Sequence, residues 1–174
     1  MGEKIVTIFG TARAKRGDLA FGLAERLGRM LAQAGLSIAN GGYGGTMLAS
    51  AKGASEAGGE VIGVICSAFS KGRANEYVSR EVVTETLQER LDTLIELGSG
   101  YVVLPGGTGT LLELAIVWES KNKGFLGHEK PIIFIGGFWK PLIDLVGSDD
   151  PDSVRCVYQA DSPEAARDIL VESI

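Results

Sequence analysis

Short runs of apolar residues alternate along this chain with longer stretches in which leucine or alanine recurs at helical spacing. Ile5 to Phe9 is apolar except for Thr7 and ends at Gly10, the pattern of a strand covered on both faces. Asp18 to Ala34 carries Leu19, Leu23, Leu27 and Leu31 on one helical face, and Gly35 is the glycine that closes a helix. Leu36 to Ala39 predicts a second strand, which runs into Asn40-Gly41-Gly42-Tyr43-Gly44-Gly45. An Ala-rich helix over Thr46 to Ala57 and a strand over Val61 to Ile65 follow, and then one helix or two over Ser79 to Leu97. Tyr101 to Leu104 predicts a fourth strand, followed by a glycine motif and a helix from about Thr110 to Lys121. Ile132 to Ile135 and Val154 to Tyr158 read as the last strands, with a helix over Phe138 to Val146 between them. A terminal helix opens at Ser162-Pro163-Glu164, with proline at its first position.

Strands separated by helices require crossover connections, so the expected fold is α/β: a doubly wound, mainly parallel sheet with helices on both faces. No interior linker, repeat or low-complexity stretch interrupts the pattern, and a single domain spanning residues 1–174 is expected.

Composition narrows the chemistry. The 174 residues are 45% hydrophobic and 22% charged, and the net charge of -5 gives no bulk attraction to nucleic acid or to an anionic membrane. An anionic ligand would have to be held by local features. Cys66 and Cys156 each fall in an apolar run and read as buried thiols. His128 is the single histidine and no CxxC is present, so no metal site is expected. The N-terminal strand is too short for a signal or a membrane span, which places the protein in the cytoplasm as an expectation.

Ligands of open parallel sheets bind beyond the carboxyl ends of the strands. Three loops at that edge are rich in small residues: Gly10-Thr11-Ala12, Gly41 to Thr46, and Gly106 to Thr110. Glycine lets backbone approach a ligand, and the helix that follows offers unpaired N–H groups and a positive dipole end to a phosphate. Gly10, Thr11, Gly42, Gly45, Thr46, Gly106, Gly107, Gly109 and Thr110 are therefore the candidate binding residues. No Gly-Lys-Ser/Thr follows any of these loops, and the first lacks the three-glycine dinucleotide fingerprint, so neither an NTPase nor a dehydrogenase is supported.

The stretch Leu104-Pro105-Gly106-Gly107-Thr108-Gly109-Thr110-Leu111-Leu112-Glu113 matches P-G-G-x-G-T-x-x-E and resembles the LOG family, the cytokinin riboside 5′-monophosphate phosphoribohydrolases. Gly41 to Met47, Lys52-Gly53-Ala54 and Gly58 to Val64 are similar to the same family's second loop, helix and third strand. The resemblance implies a Rossmann-like fold, a homodimer, no cofactor, and cleavage of the N-glycosidic bond of a nucleoside 5′-monophosphate (AMP or a cytokinin riboside monophosphate). It makes Arg90, in Glu89-Arg90, and Glu113 the catalytic pair. Those residue types suit the reaction. Ribosyl cleavage builds positive charge on the sugar, which a carboxylate stabilises, and a guanidinium suits phosphate or a departing base. The chain departs from the family pattern at Gln88, Leu91 and Tyr43, where the family has histidine, lysine and glycine.

A second reading follows from those departures: a non-catalytic carrier of a nucleotide or of molybdenum cofactor, since molybdenum-cofactor carrier proteins resemble the chain in the same loops. Arg13, Lys15 and Arg16 read as a solvated basic loop, and Val117 and Trp118 as core or subunit contacts. A pyridoxal-dependent decarboxylase is disfavoured, because no lysine is placed to form the Schiff base.

Overall fold

The apolar runs become the strands of one seven-stranded sheet whose neighbouring strands are all parallel. The computed structural model describes residues 2–69 and 72–174. In chain order the elements are β1 (Ile5–Phe9), α1 (Leu19–Gln33), β2 (Ser37–Asn40), α2 (Thr46–Glu56), β3 (Val61–Cys66), β4 (Arg80–Thr84), α3 (Leu87–Leu97) and β5 (Gly100–Val103). There follow α4 (Thr108–Asn122), β6 (Ile132–Ile135), α5 (Lys140–Asp149), a 3-10 turn at Ser153–Cys156, β7 (Val157–Ala160) and α6 (Pro163–Ser173). The strand order is β4-β3-β2-β1-β5-β6-β7, the Rossmann-like α/β arrangement expected.

Alternate residues of each strand feed two cores. Val6, Ile8, Val102 and Leu104 pack with Leu27 and Leu31 of α1, Ala49 and Ala54 of α2 and Leu170 of α6. Phe9, Tyr101 and Val103 pack on the opposite face with Leu94 of α3 and with Leu114, Val117 and Trp118 of α4. Burial on both sides is why these strands are apolar without alternation. The leucine face of α1 is rotated from the simplest reading: Leu27 and Leu31 are buried, but Leu19 stands 94% exposed.

Two segments differ from the sequence expectation. Ser79 to Leu97 contains a strand before its helix: Arg80 to Thr84 all pair with β3 at the edge of the sheet, where the charged side chains of Arg80 and Glu81 stay exposed. The helix then begins at a capping box: the Thr86 side chain accepts from the Glu89 N–H, and the Glu89 carboxylate accepts from the Thr86 N–H. The last strand starts later than expected. Ser153 to Cys156 form a 3-10 turn, held in part by the Trp118 indole donating to the Ser153 carbonyl at 2.8 Å, and Cys156 is only half-buried. Both cysteines are free thiols. No helix among the described residues is long and apolar enough to cross a membrane.

Strand order runs outward from β1 to β4 on one side and from β5 to β7 on the other. The reversal between β1 and β5 forces the loops that leave these two central strands apart, and such a switch point is where an open sheet makes a crevice.

Candidate functional site

A cleft of about 1070 Å³ opens at that switch point. Its two sides are tied together where the Thr11 N–H donates to the Pro105 carbonyl at 3.1 Å. Of the expected binding residues, Gly10, Thr11, Gly106, Gly107, Gly109 and Thr110 line it, and so do Arg90 and Glu113. Gly42, Gly45 and Thr46 do not form part of the lining.

The reason lies in how the two glycine loops are used. At the start of α2 the Thr46 N–H and hydroxyl both donate to the Thr11 carbonyl, at 2.9 and 3.1 Å. Gly45 holds φ +65°, and a Cβ there would collide with that same carbonyl oxygen. The Gly42 carbonyl is taken by the backbone and side-chain amides of Asn75. This loop is a clasp between the loop after β1 and the start of α2, and the Thr46 N–H and hydroxyl and the Gly42 carbonyl are already spent. The start of α4 is different. Like Gly45, Gly107 is an N-cap without a side-chain cap, and the first intrahelical bond is donated by Leu111 to the Gly107 carbonyl; what differs is that, among the described residues, no loop carbonyl accepts from the Thr108 N–H. The N–H groups of Thr108, Gly109 and Thr110 precede that bond and sit at the cleft wall. A Cβ at Gly107 or Gly109 would meet nothing within 4 Å, so neither position needs glycine for internal packing. An open, uncapped helix start of this kind suits an anion.

Arg90 and Glu113 meet across the cleft, Nη1 to Oε1 at 3.6 Å. Arg90 comes from α3 and is buried, with 6% of its surface exposed. Its Nε donates to the Val64 carbonyl at 2.8 Å, and its guanidinium lies 5.6 Å from the Tyr43 ring centroid and 5.7 Å from that of Phe69. Tyr43 is itself fixed: its hydroxyl accepts from the Cys66 N–H at 2.9 Å. A Cβ on Gly41 would run into the guanidinium, so the second glycine loop leaves the space through which Arg90 reaches the cleft. Glu113 stands on the second turn of α4, beyond Thr110. Burial pushes its carboxyl up to about 7, while the Arg90 guanidinium pulls in the opposite direction. A carboxyl poised near neutrality, beside a fixed cation and an open helix start, can accept or hold a proton, orient water or face developing positive charge.

Several parts of the cleft carry no signal in the sequence. Phe69, on the connection from β3 to β4, and Phe138, just before α5, supply aromatic surface to the lining. Phe138 packs edge-on against Trp139 with ring centroids 5.0 Å apart, and the Trp139 indole donates to the Leu104 carbonyl at 3.0 Å. Arg13, read as part of a solvated loop, is exposed but lies on the cleft wall. No periodicity marks a loop residue for such a place, since only the third dimension brings these loops together. Gln88 and Leu91 are not in the lining: Gln88 is exposed and donates to Asp92 at 2.8 Å, and Leu91 is buried. Of the three departures from the LOG pattern, Tyr43 alone lines the cleft. Among the described residues, no group of three His, Cys, Asp or Glu side chains is gathered as a metal would need.

Fold and cleft together define a Rossmann-like α/β protein with its crevice at the switch point of a parallel sheet. The chain belongs to the SLOG cluster4 family, whose family model matches residues 3–167. It is 32% identical over 148 residues, 82% of this chain and 74% of the relative, to a cytokinin riboside 5′-monophosphate phosphoribohydrolase of Rhodococcoides fascians. A protein of the same description from Mycobacterium tuberculosis is 32% identical over 137 residues, 77% of this chain and 71% of that one. The LOG kinship expected from the Pro105 to Glu113 motif is thereby borne out at the level of the family. Among solved structures, a molybdenum cofactor binding protein from Rippkaea orientalis matches with a TM-score of 0.82 over 99% of this chain and 98% of that one. Its sequence identity is 22%, so this likeness speaks to the fold alone.

Proposed function

We propose that the chain is a phosphoribohydrolase that cleaves the N-glycosidic bond of a nucleoside 5′-monophosphate, AMP or a cytokinin riboside monophosphate, to free base and ribose 5-phosphate. The observation that carries this reading is the placement of Glu113, with its carboxyl held near neutrality, on the second turn of the helix whose open start faces the same cleft. The 5′-phosphate takes the N–H groups of Thr108 to Thr110, and ribose then lies towards Glu113. As the glycosidic bond stretches, the Glu113 carboxylate faces the oxocarbenium-like sugar and orients the attacking water. Arg90, held by Val64 and Tyr43, keeps Glu113 in place and stands beside the departing base. The relatives named as phosphoribohydrolases support the same chemistry. Gln88 and Leu91 weigh little against it, being outside the cleft lining.

Incubation with AMP and with isopentenyladenosine monophosphate, followed by assay of free base and ribose 5-phosphate, tests the proposal. Release of both products in equal amounts is expected from at least one substrate, and no release at high enzyme concentration contradicts it. The second reading, a carrier that binds nucleotide or molybdenum cofactor without turnover, is favoured by Tyr43, the one departure from the family pattern that lines the cleft. It predicts tight binding that Glu113→Gln leaves unchanged. The proposal includes a homodimer, to which Leu111 and Leu112 offer exposed apolar surface beside Glu113 on α4. A reducing cytoplasmic setting accords with the two free thiols.

A further inference from the structure

The cleft contains a cation that the reaction outlined above leaves unused. Arg90 is committed: its Nε is bound to Val64, its faces meet two aromatic rings, and Nη1 is directed at Glu113. Arg13 has no such commitments. Its side chain forms no ion pair among the described residues, although the loop that carries it is tightly held. The Thr11 N–H donates to Pro105, the Thr11 carbonyl accepts twice from Thr46, and the Arg13 N–H donates to the Thr11 hydroxyl at 3.1 Å. These bonds fix the root of Arg13 on the β1 side of the cleft, tied to the residue just before the glycine motif. The cleft lining thus holds two arginines against one carboxylate, in a chain whose net charge is -5. A locally positive cleft in an acidic protein concentrates an anion where diffuse charge would repel it.

We propose that Arg13 is the side chain that reads the ligand's phosphate, closing as a cation over a phosphomonoester whose oxygens are held by the amides at the start of α4. This rests on the cleft being a nucleotide site, as proposed above. It divides the two arginines by task. Arg13 selects nucleotide over nucleoside, and Arg90 serves the ribosyl end. A guanidinium suits the first task because it pairs with two phosphate oxygens at once. Its exposure suits it too, since the side chain can swing to admit a ligand and close on it.

The experiment compares binding of AMP and adenosine to wild type, Arg13→Gln and Arg13→Lys by calorimetry, with Arg16→Gln as the control. Arg16 belongs to the same basic loop but does not line the cleft. Thermal melts of each variant establish that it is folded. The expected result is AMP affinity lowered about tenfold or more in Arg13→Gln, partly restored in Arg13→Lys, with adenosine affinity unchanged throughout. The fall in AMP affinity with added salt becomes shallower in Arg13→Gln, and Arg16→Gln behaves as wild type. Equal AMP affinity in wild type and Arg13→Gln overturns the assignment, as does an equal loss for AMP and adenosine. Arg13-dependent AMP binding without base release leaves the assignment standing and removes the hydrolase reading. Base release undisturbed in rate and KM by Arg13→Gln does the reverse. Absence of AMP binding by wild type removes both.

Discussion

The helices α2 and α4 both begin at glycine-rich loops on the same edge of the sheet, and they use that beginning in opposite ways. At α2 the first N–H and the Thr46 hydroxyl are spent on the Thr11 carbonyl, and Gly45 is required by its positive φ and by the closeness of that carbonyl. At α4 the first N–H groups stand at a cleft wall without a side-chain cap, and Gly107 and Gly109 face open space. A glycine loop ahead of a helix is thus two different devices. One brings chain against chain, and the other leaves room for something that is not the chain. Which device is present depends on whether a neighbouring loop presents a carbonyl to the helix start.

The largest expected effect lies on the open helix. Glu113→Gln keeps the shape of the side chain and removes its charge, so base release should fall by about 10²- to 10⁴-fold while AMP still binds. A loss of AMP binding in step with activity would instead make Glu113 a ligand-holding residue. The two glycine positions separate next. Gly45→Ala, forced to a left-handed φ against the Thr11 carbonyl, should destabilise the protein by about 2 kcal/mol or more in urea unfolding. Gly107→Ala should change stability by no more than about 0.5 kcal/mol, while weakening AMP binding by about tenfold through crowding of the phosphate. Equal stability losses at the two positions would break the distinction between clasp and opening.

A pH effect follows from Glu113. Its carboxyl is raised in the folded protein from 4.5 to about 7, so between those values the native state binds more protons than the unfolded chain. Its contribution to stability therefore falls as pH rises through that window and is flat above it. Glu113→Gln lacks this titration, so its melting temperature should gain on that of wild type between pH 5 and pH 7. A constant difference across the range would show that the carboxyl titrates normally. The smallest effect belongs to a helix start that is outside the cleft lining, one turn before Arg90. Thr86→Ala removes the cap of α3 and should cost about 1 kcal/mol of stability without altering AMP affinity.

The legible part of the fold was what the hydrophobic pattern could encode. β1, β5 and β6 are apolar throughout because both faces are covered, and the sequence pattern placed them to within a residue. β4 was missed because an edge strand needs only one covered face, and Arg80 and Glu81 gave it a helical look. Thr86 and Glu89, three residues apart, were the available sign that a helix starts afresh there. Within the cleft, the glycine motif and Glu113 could be read as a phosphate seat followed by a carboxylate on the same helix. Arg90 drew notice only through the family resemblance, since an arginine beside Glu89 on an amphipathic helix reads as solvated. Its burial depends on Val64, Tyr43 and Phe69, which are distant in sequence. Phe69, Phe138 and Arg13 sit on loops, where no period governs the side chains. The raised carboxyl of Glu113 is likewise a property of its surroundings rather than of its neighbours in the chain.

The central claim is that α4 offers its open start to a phosphate and sets Glu113 against the attached ribose. A crystal structure of Glu113→Gln soaked with AMP tests it directly, because the substitution slows cleavage while leaving the cleft intact. The account predicts phosphate oxygens within hydrogen-bond distance of the N–H groups of Thr108 to Thr110 and the ribose beside residue 113. Phosphate bound at the start of α2, or AMP lying with its ribose away from residue 113, would contradict it.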